Sequence, residues 1–384
     1  MTSRERVQVA LRHELPDRVP VDLGGNQSGI TRVAYEALLS HLGREEEITI
    51  LDTVQQLAEP SEAVLDLLGV DTRYVRAQGA KGAEPQFRTE TIRGKPHLSM
   101  EDEFGIVWSR PLEGGLYHDI THSPLQGVGT VADIEQYAWP DGGHPSRFEG
   151  LAEEAARLRA ETDKAICTGI SGVVYEFGWY LMGFERFYEA LVLEPHLVEA
   201  TLDQTLRYWL DFEAGFLPVV GPYVDVVMVG DDLAGQEGLL LSADTYRRIV
   251  KPRQAKLYEQ IHALTDAKLW YHSCGAIRQL IPDLIEIGVE AINPVQVSAR
   301  GMDTAELKRE FGRDLVFWGG GCDTQHVLPR GTPDDVRAEV RRRVGDLSPG
   351  GGFVFAAVHN IQPDVPPANV MAMFDEARTA VPSA

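Results

Sequence analysis

The C-terminal two-thirds of the chain alternates short apolar runs, rich in β-branched residues, with longer amphipathic stretches. This alternation is typical of βα units, in which parallel strands form a sheet and helices cover its faces. The sequence therefore predicts an α/β protein. The predicted strands are AICTGI (165–170), VDVVMV (224–229), KLWYHS (268–273), AINPV (291–295), LVFWGG (315–320) and FVFAAV (353–358).

Helical periodicity occupies the stretches between these runs. Pro333 and Pro367 lie where first-turn prolines belong, and Thr332 is a predicted N-cap. Upstream, residues 18–25 are predicted as a first strand and 31–43 as a helix that ends at a glycine. The later helices are predicted at about 184–216, 244–265, 276–287, 333–346 and 367–380.

The segment from about 80 to 145 has a different composition, rich in Gly, Pro and aromatic residues, with short strand-like pieces such as EFGIVWSR. Because no repeat, low-complexity tract or linker separates it from its neighbours, we interpret it as an insertion into one domain that spans residues 1–384. A (β/α)8 TIM barrel with this inserted segment accounts for the length better than two independent domains. In such barrels the chemistry lies at the C-terminal ends of the strands.

The charge balance limits the partners of the chain. Its 36 basic and 58 acidic residues give a net charge of −22, which repels nucleic acid and anionic membranes. No run approaches the roughly 20 apolar residues that span a bilayer, and the charged N-terminus has no apolar signal core. We therefore expect a cytosolic protein. Its three cysteines are too few for a disulfide framework, so each is expected to be buried, reactive or metal-bound.

His272 and Cys274, in WYHSCGAI, lie two residues apart at the end of a predicted strand. On a strand this spacing directs both side chains to the same face, where they can share a ligand. Imidazole nitrogen and thiolate sulfur are preferred ligands of zinc, and a catalytic zinc site uses three protein ligands with one position open. The alternative is a hydrogen-bonded histidine beside a small buried cysteine.

Two residues compete for the third zinc position. Cys322, in WGGGCDTQ, follows the next but one predicted strand, and His359, in AAVHNIQ, ends the last. We favour Cys322 because a thiolate donates more charge, which leaves His359 as a substrate-binding or catalytic residue. The alternative makes His359 the ligand and Cys322 a packing residue behind a Gly-rich turn. Cys167, inside an apolar run, is expected in the core.

Other predicted strand ends also carry polar side chains, and together they describe an acid-rich pocket. Each Asp or Asn taken singly is better explained as a turn or cap residue. We assign Asp232, Asp323 and His359 as candidate catalytic residues, and Asn293, Gln296 and Gln325 as candidate cofactor-binding residues. Further polar residues at these ends are Asp231, Asn360 and Gln362.

Several motifs, in this order and spacing, resemble the uroporphyrinogen decarboxylase superfamily. That superfamily contains decarboxylases and also zinc methyltransferases that serve corrinoid proteins. The resemblance covers nearly the whole chain and implies a (β/α)8 barrel that forms a homodimer. The motifs are PDRVPVD (16–22), GDDLAGQEG (230–238), HSCG (272–275), GVEAINPVQ (288–296), WGGGCDTQHVLPRGTPDDV (318–336) and HNIQPDVPPANVMAMFDEA (359–377).

Within the superfamily the chain looks closer to the methyltransferase branch. The decarboxylases carry an Arg-rich loop after the first strand, where this chain reads DLGGNQSG (22–29). The methyltransferases bind zinc through a His and two Cys, and His272 and Cys274 match the first two. The third ligand of that branch comes from the last strand region, where this chain has His359, while Cys322 falls one strand earlier.

The resemblance implies a zinc-dependent methyltransferase that moves a methyl group between a small methylated compound and a corrinoid on a partner protein. The acidic and amide strand ends favour a neutral or cationic small molecule over a polycarboxylate. One alternative is a uroporphyrinogen-decarboxylase-like lyase acting on a small carboxylated substrate. Another is a non-catalytic zinc-binding or corrinoid-carrier protein. The missing DxHxxG pattern, which ligates cobalt, disfavours the carrier.

Overall fold

A computed structural model describes residues 1–382 of the chain. It is a mixed α/β structure with three sheets. In chain order the strands are β1 (Ile30–Thr31), β2 (Ile50–Asp52), β3 (Leu57–Ala58), β4 (Thr72–Val75), β5 (Gln86–Ile92), β6 (Lys95–Glu101), β7 (Val107–Pro111), β8 (Asp119–His122), β9 (Ala165–Ser171), β10 (Val226–Gly230), β11 (Lys268–His272), β12 (Ala291–Asn293), β13 (Val316–Trp318) and β14 (Phe353–Val354).

The main sheet has seven strands in the order β14-β13-β12-β11-β10-β9-β4. Every neighbouring pair is parallel. Because helices cover one face and side chains fill the other, these strands read as continuous apolar runs rather than alternating ones. The six strands predicted from the C-terminal runs are all present, and the fold is TIM-barrel-like.

The predicted first strand at 18–25 is reduced to one residue, Val21, which forms an isolated parallel bridge with Phe355. Pro20 has no amide hydrogen to donate, and the glycines that follow Leu23 do not favour a strand. This segment still bonds to both edges of the main sheet. Phe355 N donates to Pro20 O at 2.8 Å, and Asp71 N, just before β4, donates to Val21 O at 2.7 Å.

The helices lie between the strands, largely where the periodicity predicts them. They are α1 (Ser3–Leu11), α2 (Arg32–His41), α3 (Glu62–Leu67), α4 (Val131–Glu135), α5 (Leu151–Glu161), α6 (Tyr175–Met182), α7 (Phe184–Leu193), α8 (Pro195–Val220), α9 (Ala243–Thr245), α10 (Lys251–Leu264), α11 (Ile281–Glu286), α12 (Thr304–Phe311), α13 (Val327–Arg330), α14 (Pro333–Leu347) and α15 (Pro367–Ala377). A π-helical turn, Tyr246–Val250, joins α9 to α10.

The structure divides one predicted helix into two and confirms one predicted N-cap. The single helix predicted at 184–216 is two helices, α7 and α8, because Pro195 disfavours the helical conformation of Glu194 (φ −141°, ψ 54°). Thr332 does cap α14: it accepts from the Asp335 amide, and the Asp335 carboxylate accepts from the Thr332 amide, which is a complete capping box.

The insertion region forms a sheet of its own. β5, β6, β7 and β8 are antiparallel neighbours in that order, and they lie in the chain between β4 and α5. The remaining strands form a third sheet in the order β1-β3-β2. No helix within residues 1–382 is both long and apolar enough to cross a bilayer.

Two hydrophobic clusters pack against the main sheet. One lies between the sheet and the helices, and the other, which we call the inner cluster, fills the inner face of the sheet. Side chains of α1 pack there against large residues of the strands, so the helix blocks this space. The main members are Val7, Ala10 and Leu11 of α1 with Tyr74, Met228, Trp270 and Trp318 of the strands.

Asp71 connects the N-terminal segment to the main sheet. Its fully buried carboxylate binds Arg6 Nη1 at 2.8 Å and Arg18 Nη1 at 2.7 Å. It also accepts from the Val21 amide at 2.8 Å. The segment before β1 is therefore fixed to β4 by charge as well as by backbone bonds.

We expect Asp71→Asn to lower the free energy of unfolding by about 3–5 kcal/mol, because it leaves Arg6 and Arg18 without their buried counter-ion. Glu14→Gln is the control, since the exposed Arg12–Glu14 pair is expected to contribute less than about 1 kcal/mol. Urea unfolding monitored by circular dichroism measures both. Equal effects of the two substitutions would contradict the assigned role of Asp71.

Candidate metal centre

Three potential metal ligands lie together at the C-terminal edge of the main sheet. His272 ends β11, Cys274 follows by two residues, and His359 comes from the segment after β14. One ligand atom from each side chain lies within 4.8 Å of the others, and Cys274 Sγ is 3.6 Å from His272 Nε2. We call these three side chains the ligand cluster. Three ligands with one position left open is the composition of a catalytic zinc site.

The register of the main sheet accounts for the position of His272. Gly230 of β10, His272 of β11 and Asn293 of β12 lie side by side across the sheet. Gly230 has no side chain, and a Cβ there would lie 2.8 Å from the His272 Cβ. The glycine therefore leaves the space that the imidazole needs.

A hydrogen-bond chain sets the tautomer of His272. The Asn293 amide NH2 donates to Trp318 O at 2.9 Å, so Asn293 Oδ1 is the atom that faces His272 Nδ1 at 2.7 Å. Nδ1 must then carry the proton, which leaves the lone pair of Nε2 directed towards Cys274. Such a partner on the remote nitrogen is the usual support of a metal-binding histidine. Asn293 is therefore placed to orient a ligand.

Burial keeps both histidines uncharged. It lowers the pKa of His272 to about 4. Burial also lowers the pKa of His359 to about 4, and the neighbouring His272 contributes to the shift. Only the neutral imidazole offers a lone pair to a metal ion, so both rings are available at neutral pH.

Cys274 and Asp232 interact closely. The Asp232 Oδ1 atom accepts from the Cys274 amide at 2.6 Å and lies 3.7 Å from His272 Nε2. Burial raises the pKa of the Cys274 thiol well above its usual range, and the charges of Asp232 and Glu176 add to the effect. A divalent cation held by the cluster would reverse this balance, because a coordinating thiol is deprotonated.

Glu176 is a site residue that the sequence did not single out. Burial and the charges of Asp232 and Asp231 raise its pKa well above the usual value, and Tyr180 Oη donates to its carboxylate at 3.2 Å. Glu176 lies at the N-terminus of α6, where Asp231 accepts from the Tyr175 and Glu176 amides at 2.7 and 2.9 Å. A lone acid in the apolar run VVYEFGWYLM was the available signal.

Cys322 does not join the ligand cluster. Its side chain has no exposed surface and belongs to the hydrophobic core between sheet and helices. Burial raises the pKa of its thiol, and Glu339 of α14 adds to the shift. Its carbonyl accepts from the Val358 amide at 3.0 Å, next to His359. The structure thus brings His359, rather than the favoured Cys322, to His272 and Cys274. Cys167 is buried in the inner cluster, as predicted.

The remaining candidate residues have local roles. Gln296 Oε1 accepts from the Gly275 amide at 2.6 Å and so holds the turn after Cys274. Asp323 accepts from the Gln325 amide at 2.8 Å and lies 3.2 Å from the exposed His326 ring. Neither Asp323 nor Gln325 belongs to the ligand cluster.

The main sheet is TIM-barrel-like and gathers two histidines, a thiol and carboxyls at its C-terminal edge, which is the edge where such folds place their chemistry. A family model described as uroporphyrinogen decarboxylase (URO-D) matches residues 122–380. The chain therefore belongs to the uroporphyrinogen decarboxylase family, which confirms the resemblance seen in its motifs. Members of this superfamily are enzymes.

Relatives in this family are distant. Uroporphyrinogen decarboxylase of Alkalilimnicola ehrlichii is 24% identical over 326 residues, which cover 76% of this chain and 83% of the relative. That of Chlorobium phaeobacteroides is 23% identical and covered to 95% in both chains. Among solved structures, a methyltransferase from Methanosarcina mazei matches with a TM-score of 0.65, 18% identity and 98% coverage of both chains. This last likeness shows the shared fold.

The depressed pKa values predict an acid-sensitive site in the metal-free protein. Between pH 6.5 and about 4, His272 and His359 bind protons in the unfolded chain but not in the folded one. The free energy of unfolding therefore falls as the pH drops through this window, by up to about 1.4 kcal/mol per unit for each ring. His359→Gln cannot titrate, so its stability is expected to fall less.

Urea unfolding of both metal-free proteins at pH 7 and pH 5 measures the difference. Comparing the two proteins cancels the titration of groups that they share. Parallel losses of stability would show that His359 is already protonated in the folded protein at pH 5.

Proposed function

We propose that the protein is a zinc-dependent methyltransferase, which moves a methyl group between a small methylated compound and a corrinoid carried by a partner protein. The observation that carries this proposal is the convergence of His272, Cys274 and His359. Two imidazoles and one thiol match the ligand preference of zinc. The name of the Methanosarcina mazei neighbour, a methyltransferase, agrees with the proposed reaction.

His272, Cys274 and His359 would hold the zinc ion, which would supply a Lewis acid able to polarise a methyl ether or to keep an accepting thiol as thiolate. The protein's own residues prepare that site. Asn293 fixes the ring of His272, while Asp232 and Gln296 hold the backbone of the turn that carries Cys274. Burial at the strand ends excludes water and leaves both imidazoles neutral.

The proposal includes a closed (β/α)8 barrel as the scaffold. Residues 20–22 would act as the eighth strand, because they bond to Phe355 beyond β14 and to Asp71 before β4. We also propose a homodimer and a corrinoid protein as partners, and a cytoplasmic location. Light scattering at micromolar concentration tests the dimer against the 42.5 kDa monomer.

The second candidate is a lyase that decarboxylates a small substrate. The names of the sequence relatives favour it, and so does the half-buried pair of carboxyls, Glu176 and Asp232, which is suited to hold a proton. A zinc-independent reaction would not explain why His272, Cys274 and His359 converge. Zinc dependence therefore separates the two candidates.

We expect about one zinc ion per chain in protein purified without chelator, measured by plasma mass spectrometry. Cys274→Ser and His359→Ala should each weaken zinc binding by orders of magnitude, because each removes one of only three ligands. Cys322→Ser is the matched control and should retain zinc, since its thiol lies in the core. Zinc lost from Cys322→Ser but kept by His359→Ala would restore Cys322 as the third ligand.

The activity is tested by methyl transfer between a free corrinoid and small methyl ethers or methylamines, followed by the visible spectrum of the cobalt. Zinc-loaded wild type should methylate reduced cobalamin from at least one donor, and Cys274→Ser should not. Uroporphyrinogen is offered in parallel. Its decarboxylation, with no cobalt methylation from any donor, would overturn the proposal in favour of the lyase.

A further inference from the structure

Arg76 lies at the same edge of the main sheet as the ligand cluster. It directly follows β4, two residues after Tyr74, whose side chain belongs to the inner cluster with Trp270. Alternate residues of a strand face the same side, so Arg76 continues the inner face of β4 towards the C-terminal edge. Its guanidinium lies over the Tyr74 ring, 4.8 Å from the centroid. Trp270 supports His272 on β11 in a similar way, with ring centroids 6.0 Å apart.

The Arg76 guanidinium has few partners within residues 1–382. Its side-chain hydrogen bond runs from Nη2 to Gly24 O at 2.5 Å. The Nε atom is buried and has no partner. The carboxylate that approaches it belongs to Glu59, 3.9 Å away from Nη1, on a side chain that is 54% exposed. No carboxylate in the described chain is within hydrogen-bonding distance of this cation.

The four arginines with the least exposed surface are different. Each binds a carboxylate at short range: Arg6 binds Asp71 and Asp17, Arg73 binds Glu62 and Asp66, Arg147 binds Glu103, and Arg343 binds Glu339. A structural role in this protein is thus accompanied by a counter-ion. Arg76 departs from that pattern.

A largely buried cation without a close counter-ion is unfavourable in the free protein. Burial accordingly lowers the pKa of Arg76. The side chain nevertheless keeps 23% of its surface exposed, so a ligand at the strand ends can reach it. An arriving anion would supply the missing charge and gain a charge-assisted hydrogen bond.

We propose that Arg76 binds the carboxylate of a small substrate whose methyl-bearing end lies at the ligand cluster; the second half of this statement rests on the proposed function. β9 and β10 separate β4 from β11 in the sheet. In this proposal the Arg76 guanidinium and the ligand cluster therefore contact opposite ends of one molecule. Beside the cluster lie the carboxyls of Asp232 and Glu176, which offer no cation to a second carboxylate. The substrate class is therefore a monocarboxylate that carries a methyl ether or methylamine, rather than a neutral or cationic compound.

The test compares two ligands that differ only in charge, 4-methoxybenzoate and 4-methoxybenzamide, by calorimetric titration of the full-length protein with its metal. Wild type should bind the acid about tenfold or more tightly than the amide, the gain of a charge-assisted bond. Arg76→Gln should remove this preference and leave amide binding unchanged. Glu59→Gln is the matched control, and it should keep or increase the preference.

Thermal unfolding separates a binding role from a structural one. Arg76→Gln should melt at the same temperature as wild type or higher, because it removes an unpaired buried charge, while Arg147→Gln should melt lower because it leaves Glu103 unpaired. A lower melting temperature for Arg76→Gln, or a preference for the acid that survives in this variant, would overturn the proposal. Failure of wild type to bind either ligand, or tighter binding of inorganic phosphate than of 4-methoxybenzoate, would also overturn it.

The same titration with Cys274→Ser keeps this proposal distinct from the proposed function. An acid preference that persists in Cys274→Ser shows that the Arg76 site does not depend on zinc. If zinc-loaded wild type also methylates cobalamin from no donor, the Arg76 site is supported and the methyltransferase is rejected. Methyl transfer from uncharged donors by wild type, with no preference for the acid, would support the methyltransferase and reject the Arg76 site.

Discussion

The common direction of the seven main strands is the constraint on which the site depends. Parallel pairing places every C-terminal strand end at one edge, so residues far apart in the chain meet there without any local signal linking them. The opposite half of the inner face is filled by α1 and by large side chains such as Trp270 and Trp318. The ligand cluster, Asp231, Asp232 and Asn293 all lie at the C-terminal edge.

Asp231 and Asp232 are adjacent residues at that edge, and they have different roles. Consecutive side chains at a strand end point in opposite directions. Asp231 points towards the helices, where it accepts from the amides that begin α6 and from Gln254 at 2.9 Å. Asp232 points towards the ligand cluster and holds the turn of Cys274. Asp231 thereby positions the helix that carries Glu176, and Asp232 lies beside the Glu176 carboxyl.

Sequence patterns predicted the parallel strands, the α14 cap and the pairing of His272 with Cys274, because each depends on short-range periodicity. They did not distinguish Cys322 from His359. Gly319 and Gly320, between β13 and Cys322, have φ values of +88° and +80°, and such residues end the alternation that predicts where a side chain points. Cys322 consequently faces α14. Glu176 was missed for a different reason, since its approach to Asp232 requires the cap that Asp231 provides from another strand.

The ligand cluster also has a consequence for the order of assembly. His272 ends β11 and Cys274 follows it, whereas His359 comes after β14. β12, β13, β14 and the helices between them lie between Cys274 and His359 in the chain. A cation can be held by all three only after those elements have docked, because the unfolded chain does not hold the ligands near one another. Tight metal binding would then develop late in folding. A chain truncated before β14 would retain His272 and Cys274 but bind the ion weakly, because it lacks His359. The time at which tight metal binding develops during refolding would mark the closure of the last quarter of the fold.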